Sequence, residues 1–294
     1  MIKDDHRPKR RPARRGMFIL PSLFTAGSIG AGFYAIMQSL QGSALEPHHF
    51  DYAALAIGLA VPFDGLDGRI ARLTNTTSEF GKELDSLADV ITFGVAPSIL
   101  AYSWGFRALP PTMDPLLRSK LMHAGAVVSF LFLICGACRL ARFNTSADAQ
   151  PKNPGRPDRK YFVGMPIPAA AGVIAASVHS FLGTPVFSAT VAIIWALLIA
   201  LVGFLMVSTW RFWSGKEINL TDRHPFQLLA LIGAFVAVVV LFSRELLFLI
   251  ALGYMFSGVL ARAAYSWSLR HRKHPRSAGS PSNNPGAGDF PGPA

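Results

Sequence analysis

Four aspartates carry the clearest chemical signal in this chain. Asp64 and Asp67 stand three residues apart in VPFDGLDGRIARL, and Asp85 and Asp89 stand four apart in FGKELDSLAD. On a helix, those spacings place each pair on one face. A short polar connector, LTNTTSEFG, joins the two stretches, so antiparallel neighbours can turn both pairs into one cavity. Carboxylates gathered there repel one another unless a cation lies between them. Oxygen donors with no His or Cys close by suit Mg²⁺ or Mn²⁺, with Ca²⁺ as a competitor, and two divalent ions balance four carboxylates. Paired metals suit in-line displacement at phosphorus. Gly65, Gly68, Ala71 and Gly81 leave room for a bulky nucleotide, and Arg72 offers a cation to its phosphate. The plainer alternative is helix-end charge paired with Arg69, Arg72 and Lys82. Two acidic pairs on adjacent spans, interleaved with glycines, argue against it.

The elements that must position these acids are apolar. The 294-residue chain is 51% hydrophobic, with a formal net charge of +11 and a positive mean hydropathy. That combination conflicts with a soluble globule and fits a polytopic membrane protein with basic loops. Eight apolar segments, about 17–40, 52–70, 84–104, 121–141, 162–183, 186–208, 226–242 and 245–264, run near the length of a bilayer-spanning helix. With the N-terminus cytoplasmic, 24 of the 28 Lys and Arg fall on the inner side, leaving Arg107, Arg118, Lys120 and Arg244 outside. The expected architecture is therefore an all-α bundle of eight spans in the cytoplasmic (inner) membrane. Both termini and the aspartates face the cytoplasm. Residues 1–16 read as a basic disordered tail, 17–265 as the transmembrane catalytic domain, and 266–294 as a tail first basic and then rich in Pro, Gly and Ser.

Other readings are weaker. The arm MIKDDHRPKRRPARR lacks the aromatic residues or recognition helix of a nucleic-acid binder, so no nucleic-acid partner is expected. Cys135 and Cys138 form a CxxC inside an apolar span with no second pair, which suits small residues at a helix–helix contact better than redox or zinc chemistry. A metal transporter would carry acidic groups near the membrane midplane, whereas these four lie towards one side.

The run Asp64-Gly65-x-Asp67-Gly68-x-x-Ala71-Arg72, followed eight residues later by Gly81-x-x-x-Asp85-x-x-x-Asp89, resembles the signature of the CDP-alcohol phosphotransferase family. SLADVITFGVAPSIL, GACRLARFNT and KYFVGMPIPAAAG are similar to its bacterial, membrane-integral branch that accepts serine. One departure is Pro21-Ser22, where many members carry Pro-Asn. The resemblance implies a core of six transmembrane helices, here with two more, generally as a homodimer. It implies that Asp64, Asp67, Asp85 and Asp89 hold two divalent ions, with Asp89 also the general base, and that Gly68 to Gly81 line the nucleotide pocket. The implied reaction passes a phosphatidyl group from CDP-diacylglycerol to L-serine and releases CMP. Glycerol 3-phosphate, inositol phosphate and choline are the alternative acceptors.

Zwitterionic serine needs a cation for its carboxylate and an acceptor for its ammonium. Arg139, Arg142, Asn144 and Lys160 are the candidates, with the lipid phosphate as another ligand for the arginines and positive-inside anchoring as their bland role.

Overall fold

The computed structural model describes residues 19–73, 79–145, 161–213 and 241–272, with the side chains of 19–22, 66–73 and 268–272 outside that description. The chain is helical. Helix α1 (Ile19–Gln41) and helix α2 (His48–Leu73) form an antiparallel pair. Helix α3 (Glu79–Asp89) continues through a π-helical turn (Val90–Val95), α4 (Ala96–Tyr102) and a second π turn (Ser103–Arg107). Then come α5 (Pro115–Thr145), α6 (Ile167–Ser180), α7 (Ala189–Val207) and α8 (Ser243–Arg272).

Among the described residues four helices are long and apolar enough to cross a membrane: Glu79–Arg107, Pro115–Thr145, Ala189–Val207 and Ser243–Trp267. Segments 17–40 and 52–70 of the eight-span reading form helices α1 and α2, which are not among these four, and two further segments have no matching span among the described residues. Segment 226–242 lies almost wholly outside the described residues. Segment 162–183 forms a helix of only 14 residues, α6, about 21 Å long. Pro166 caps it in an extended conformation and a further proline lies in its first turn, so the helix cannot start earlier. The residues before it are not helical at all. Tyr161–Val163 (β1) pairs antiparallel with Arg211–Trp213 (β2), Phe162 opposite Phe212, and this two-stranded ribbon corrects the purely helical expectation. The tails expected at 1–16 and beyond residue 272 lie outside the described residues, and α8 runs past the expected domain edge at 265 to Arg272.

Helix α6 is apolar on every side and buried along most of its length, as a helix central to a bundle must be. It packs against α2, α4, α7 and α8. Small residues let the other helices close. A Cβ added at Gly32 of α1 would lie 2.8 Å from Thr92 Oγ1, where the Thr92 hydroxyl donates to the Ser28 carbonyl at 2.9 Å. A Cβ added at Gly203 of α7 would lie 3.7 Å from the Cys135 sulfur of α5, so this cysteine does serve a close helix contact. Both cysteines are free thiols.

Because apolar surroundings offer no water, exposed helix-end carbonyls need protein donors. Arg107 donates to the Ser39, Leu40 and Gly42 carbonyls at the end of α1. The Trp195 and Trp104 indoles donate to the Ala101 and Thr184 carbonyls.

Gly125 shows how little slack the bundle has, since a Cβ there would overlap the buried Phe106 ring. Gly125→Ala should lower stability by about 1–3 kcal/mol. Gly172→Ala, with nothing within 4 Å of the added carbon, should be neutral or slightly stabilising. Thermal unfolding of both variants in detergent checks the contrast.

Candidate active site

The carboxylates meet where α2, α3 and α5 come together. Asp64, Asp85 and Asp89 each offer an oxygen, and the three oxygens lie within 4.8 Å of one another. All three residues are half-buried. Spacing explains the convergence: Asp85 and Asp89 share a face of α3, and α1 packs against both α2 and α3, holding them side by side. The π turn begins at the residue after Asp89. One extra residue in a helical turn rotates the succeeding side chains by roughly 100°. That lets the acidic face of α3 look into the site while Phe93, Ala96 and Leu100 look into the core.

The donor set fits a divalent cation. The Asp89 Oδ1 atom is buried and has no hydrogen-bond partner among the described residues. An orphan acceptor of that kind beside two further carboxylates is costly without a positive charge. A cation bound at about 2.1–2.4 Å from each ligand bridges oxygens up to about 4.2–4.8 Å apart. Oxygen-only donors also match the hard ions expected from sequence.

The remaining sequence candidates divide. Gly65 has open space beside it, with nothing within 4 Å of an added Cβ. Gly81 lies in the first turn of α3, where that helix begins. Asp67, Gly68, Ala71 and Arg72 are on the helical backbone of α2, with side chains outside the described residues, and Lys160 lies outside them altogether.

The basic candidates on α5 take distinct positions. Arg139 is buried, lies over the Phe143 ring at 5.1 Å, and acts electrostatically on Asp89. Arg142 turns the other way. Its guanidinium donates to the carbonyls of Val163, Met206, Val207 and Ser208 at 3.0–3.3 Å. It therefore ties the ribbon to the end of α7. Gly164, at φ +76°, makes that junction possible, because a Cβ there would strike the Met206 and Ser208 carbonyls. Asn144 donates its amide to Ser86 Oγ at 2.8 Å. Ser86 sits between Asp85 and Asp89, so Asn144 fixes the acidic helix from α5. No sequence signal marked Ser86, since a lone serine among helical residues has no distinguishing spacing.

Arg142→Ala should leave several partly buried carbonyls without this donor and cost about 1–3 kcal/mol. Arg142→Lys should recover only part of it, because an ammonium cannot reproduce the fork. Thermal midpoints of the three proteins test this reading.

Comparison with known proteins agrees with the geometry. The CDP-alcohol phosphatidyltransferase family profile matches residues 18–192. A CDP-diacylglycerol–serine O-phosphatidyltransferase of Helicobacter pylori is 38% identical over 203 residues, covering 69% of this chain and 75% of its own. Proteins of that name from Mycobacterium leprae and Saccharomyces cerevisiae are 32% identical over 274 residues and 39% over 145. The first match covers 90% of this chain and 81% of the relative, the second 49% and 48%. With its three carboxylates converged between α2 and α3 inside the matched region, the chain belongs to the CDP-alcohol phosphatidyltransferase family.

Proposed function

We propose that this chain transfers the phosphatidyl group of CDP-diacylglycerol to L-serine, giving phosphatidylserine and CMP. The observation that carries the reading is the meeting of Asp64, Asp85 and Asp89 within 4.8 Å, in a family member whose relatives bear the serine-transferase name.

Asp64, Asp67, Asp85 and Asp89 would hold two Mg²⁺ or Mn²⁺ ions, which supply charge neutralisation to the diphosphate of the activated lipid. The residues around them do the rest. Asp89 accepts the proton of the serine hydroxyl, which is a poor nucleophile unless a base lies within hydrogen-bond reach. The new O–P bond forms at the phosphorus bearing diacylglycerol, and the bond to CMP breaks on the opposite side. Gly65, Gly68, Ala71, Arg72 and Gly81 line the nucleotide and phosphate pocket. Arg139, buried and acting electrostatically on Asp89, receives the serine carboxylate or the lipid phosphate, with Lys160 a further cation for either. Arg142 and Asn144 support the site from behind through the contacts described above.

The reaction suits a membrane setting in which the lipid arrives laterally and serine from the cytosol. Eight spans in the inner membrane, a six-helix core, cytoplasmic termini and a homodimer belong to this reading. The bias of Lys and Arg towards alternate loops supports the orientation. Serine is favoured over other acceptors by the names of the relatives.

CMP release from CDP-diacylglycerol, with serine, glycerol 3-phosphate, inositol phosphate or choline offered separately, should be fastest with serine and cease in chelator. Preference for another alcohol would reassign the acceptor. Asp89→Asn should bind the nucleotide lipid yet lose at least about 10²-fold in turnover. Turnover like that of the unaltered chain would remove the base assignment. Arg139→Ala should raise the serine KM while lipid affinity holds, whereas the reverse pattern assigns Arg139 to the lipid phosphate.

A further inference from the structure

At the opposite end of the bundle, three side chains with no part in phosphatidyl transfer form a second constellation. Asp51 lies in the first turn of α2, His179 in the last turn of α6, and Ser243 begins α8. His179 Nδ1 is 2.6 Å from Asp51 Oδ1, and His179 Nε2 is 3.0 Å from Ser243 Oγ. Asp51 precedes Asp64 by thirteen residues on one helix, which separates the two groups by about 20 Å.

The order of contacts has a chemical direction. A carboxylate accepts from Nδ1–H, which leaves the Nε2 lone pair to accept the serine hydroxyl proton. The His179 and Asp51 side chains are only 8% and 16% exposed, so the pair is shielded, whereas Ser243 is half-buried. Ser243 also begins a 30-residue helix, whose positive end favours the charge that develops when an alkoxide adds to a carbonyl. The turn after His179 is strained: Leu182 sits at φ +52° and donates its N–H to the His179 carbonyl at 2.9 Å. Phe181, Leu182, Leu241 and Phe242, which flank the histidine and serine in sequence, are exposed and apolar.

We propose that Ser243, His179 and Asp51 form a second active centre, a serine hydrolase triad acting on carboxylic esters of long-chain acids at the membrane surface. Ser243 Oγ attacks the ester carbonyl carbon and its proton passes to His179 Nε2. The ester C–O bond breaks, and the alcohol leaves with that proton. Water then adds to the acyl-serine, giving a proton to Nε2, and the acid departs as Ser243 regains its hydroxyl proton. Water is the sole co-reactant. Asp51 holds the ring in the required tautomer throughout. The exposed apolar side chains give the acyl chain a surface to lie on.

The test uses the full-length chain in nanodiscs, an alkyl fluorophosphonate probe read by peptide mass spectrometry, and p-nitrophenyl decanoate hydrolysis. The expected result is an adduct on Ser243 and measurable ester hydrolysis, both falling at least about 10²-fold in Ser243→Ala and in His179→Gln. CMP release with serine should stay unchanged in these variants, which certifies the fold. Should His179→Gln lose CMP release, Ser243→Ala carries the decision, because it removes a single hydroxyl from a helix end. No adduct on Ser243, or hydrolysis equal in Ser243→Ala and the unaltered chain, would reduce the three side chains to a tie between helices.

Discussion

Mutual repulsion among carboxylates in apolar surroundings is the constraint on which the rest of this architecture depends. Three carboxylate oxygens within 4.8 Å of one another, on residues one of which has a buried oxygen with no hydrogen-bond partner among the described residues, are unfavourable by charge and by desolvation. A fold keeps such a group together only if the supporting elements are stiff and if cations or protons offset the charge. The stiffness is visible. Helix α1 packs against both helices that carry the acids, the Thr92 hydroxyl locks the π turn to α1, and Asn144 grips Ser86 between two of the acids. The buried Arg139 acts electrostatically on Asp89.

The same need for polar satisfaction shapes the remainder of the bundle. Away from water, each helix end must find donors for its last carbonyls. Arg107 serves α1 and Arg142 serves α7, so two of the basic residues that a charge count assigns to topology also hold helices together. Arg142 reaches the ribbon as well, and the ribbon reaches α8: a Cβ at Gly258 would overlap the Phe212 ring, and the Tyr254 hydroxyl donates to the Trp213 carbonyl. Order at the back of the site thus passes through a few directed contacts rather than through apolar packing alone.

What could be read from sequence tracked periodicity. The i,i+4 spacing of Asp85 and Asp89 and the glycine-punctuated stretch around Asp64 pointed to convergence, and these three acids do converge. Hydropathy located the long helices, because length and apolar content decide them locally. At segment 162–183 it located α6 but not its start, because the residues Tyr161–Val163 pair as a strand with a partner some fifty residues away, a non-local choice invisible to periodicity. The role of Arg142 was equally hidden. A cation near a helix end reads the same whether it meets headgroups, substrate or carbonyls, and only the fold brings four carbonyls to it. The Asp51–His179–Ser243 contact joins residues distant in sequence with no shared motif.

Cation binding by the carboxylate cluster is the central claim, and it is measured most directly without turnover. Electron paramagnetic resonance of Mn²⁺ titrated into the purified chain in nanodiscs counts bound ions. The account predicts saturable binding of two ions per chain in the presence of CDP-diacylglycerol, weakened at least about tenfold by Asp64→Asn or Asp85→Asn. Binding of equal strength in those variants and the unaltered chain would contradict it.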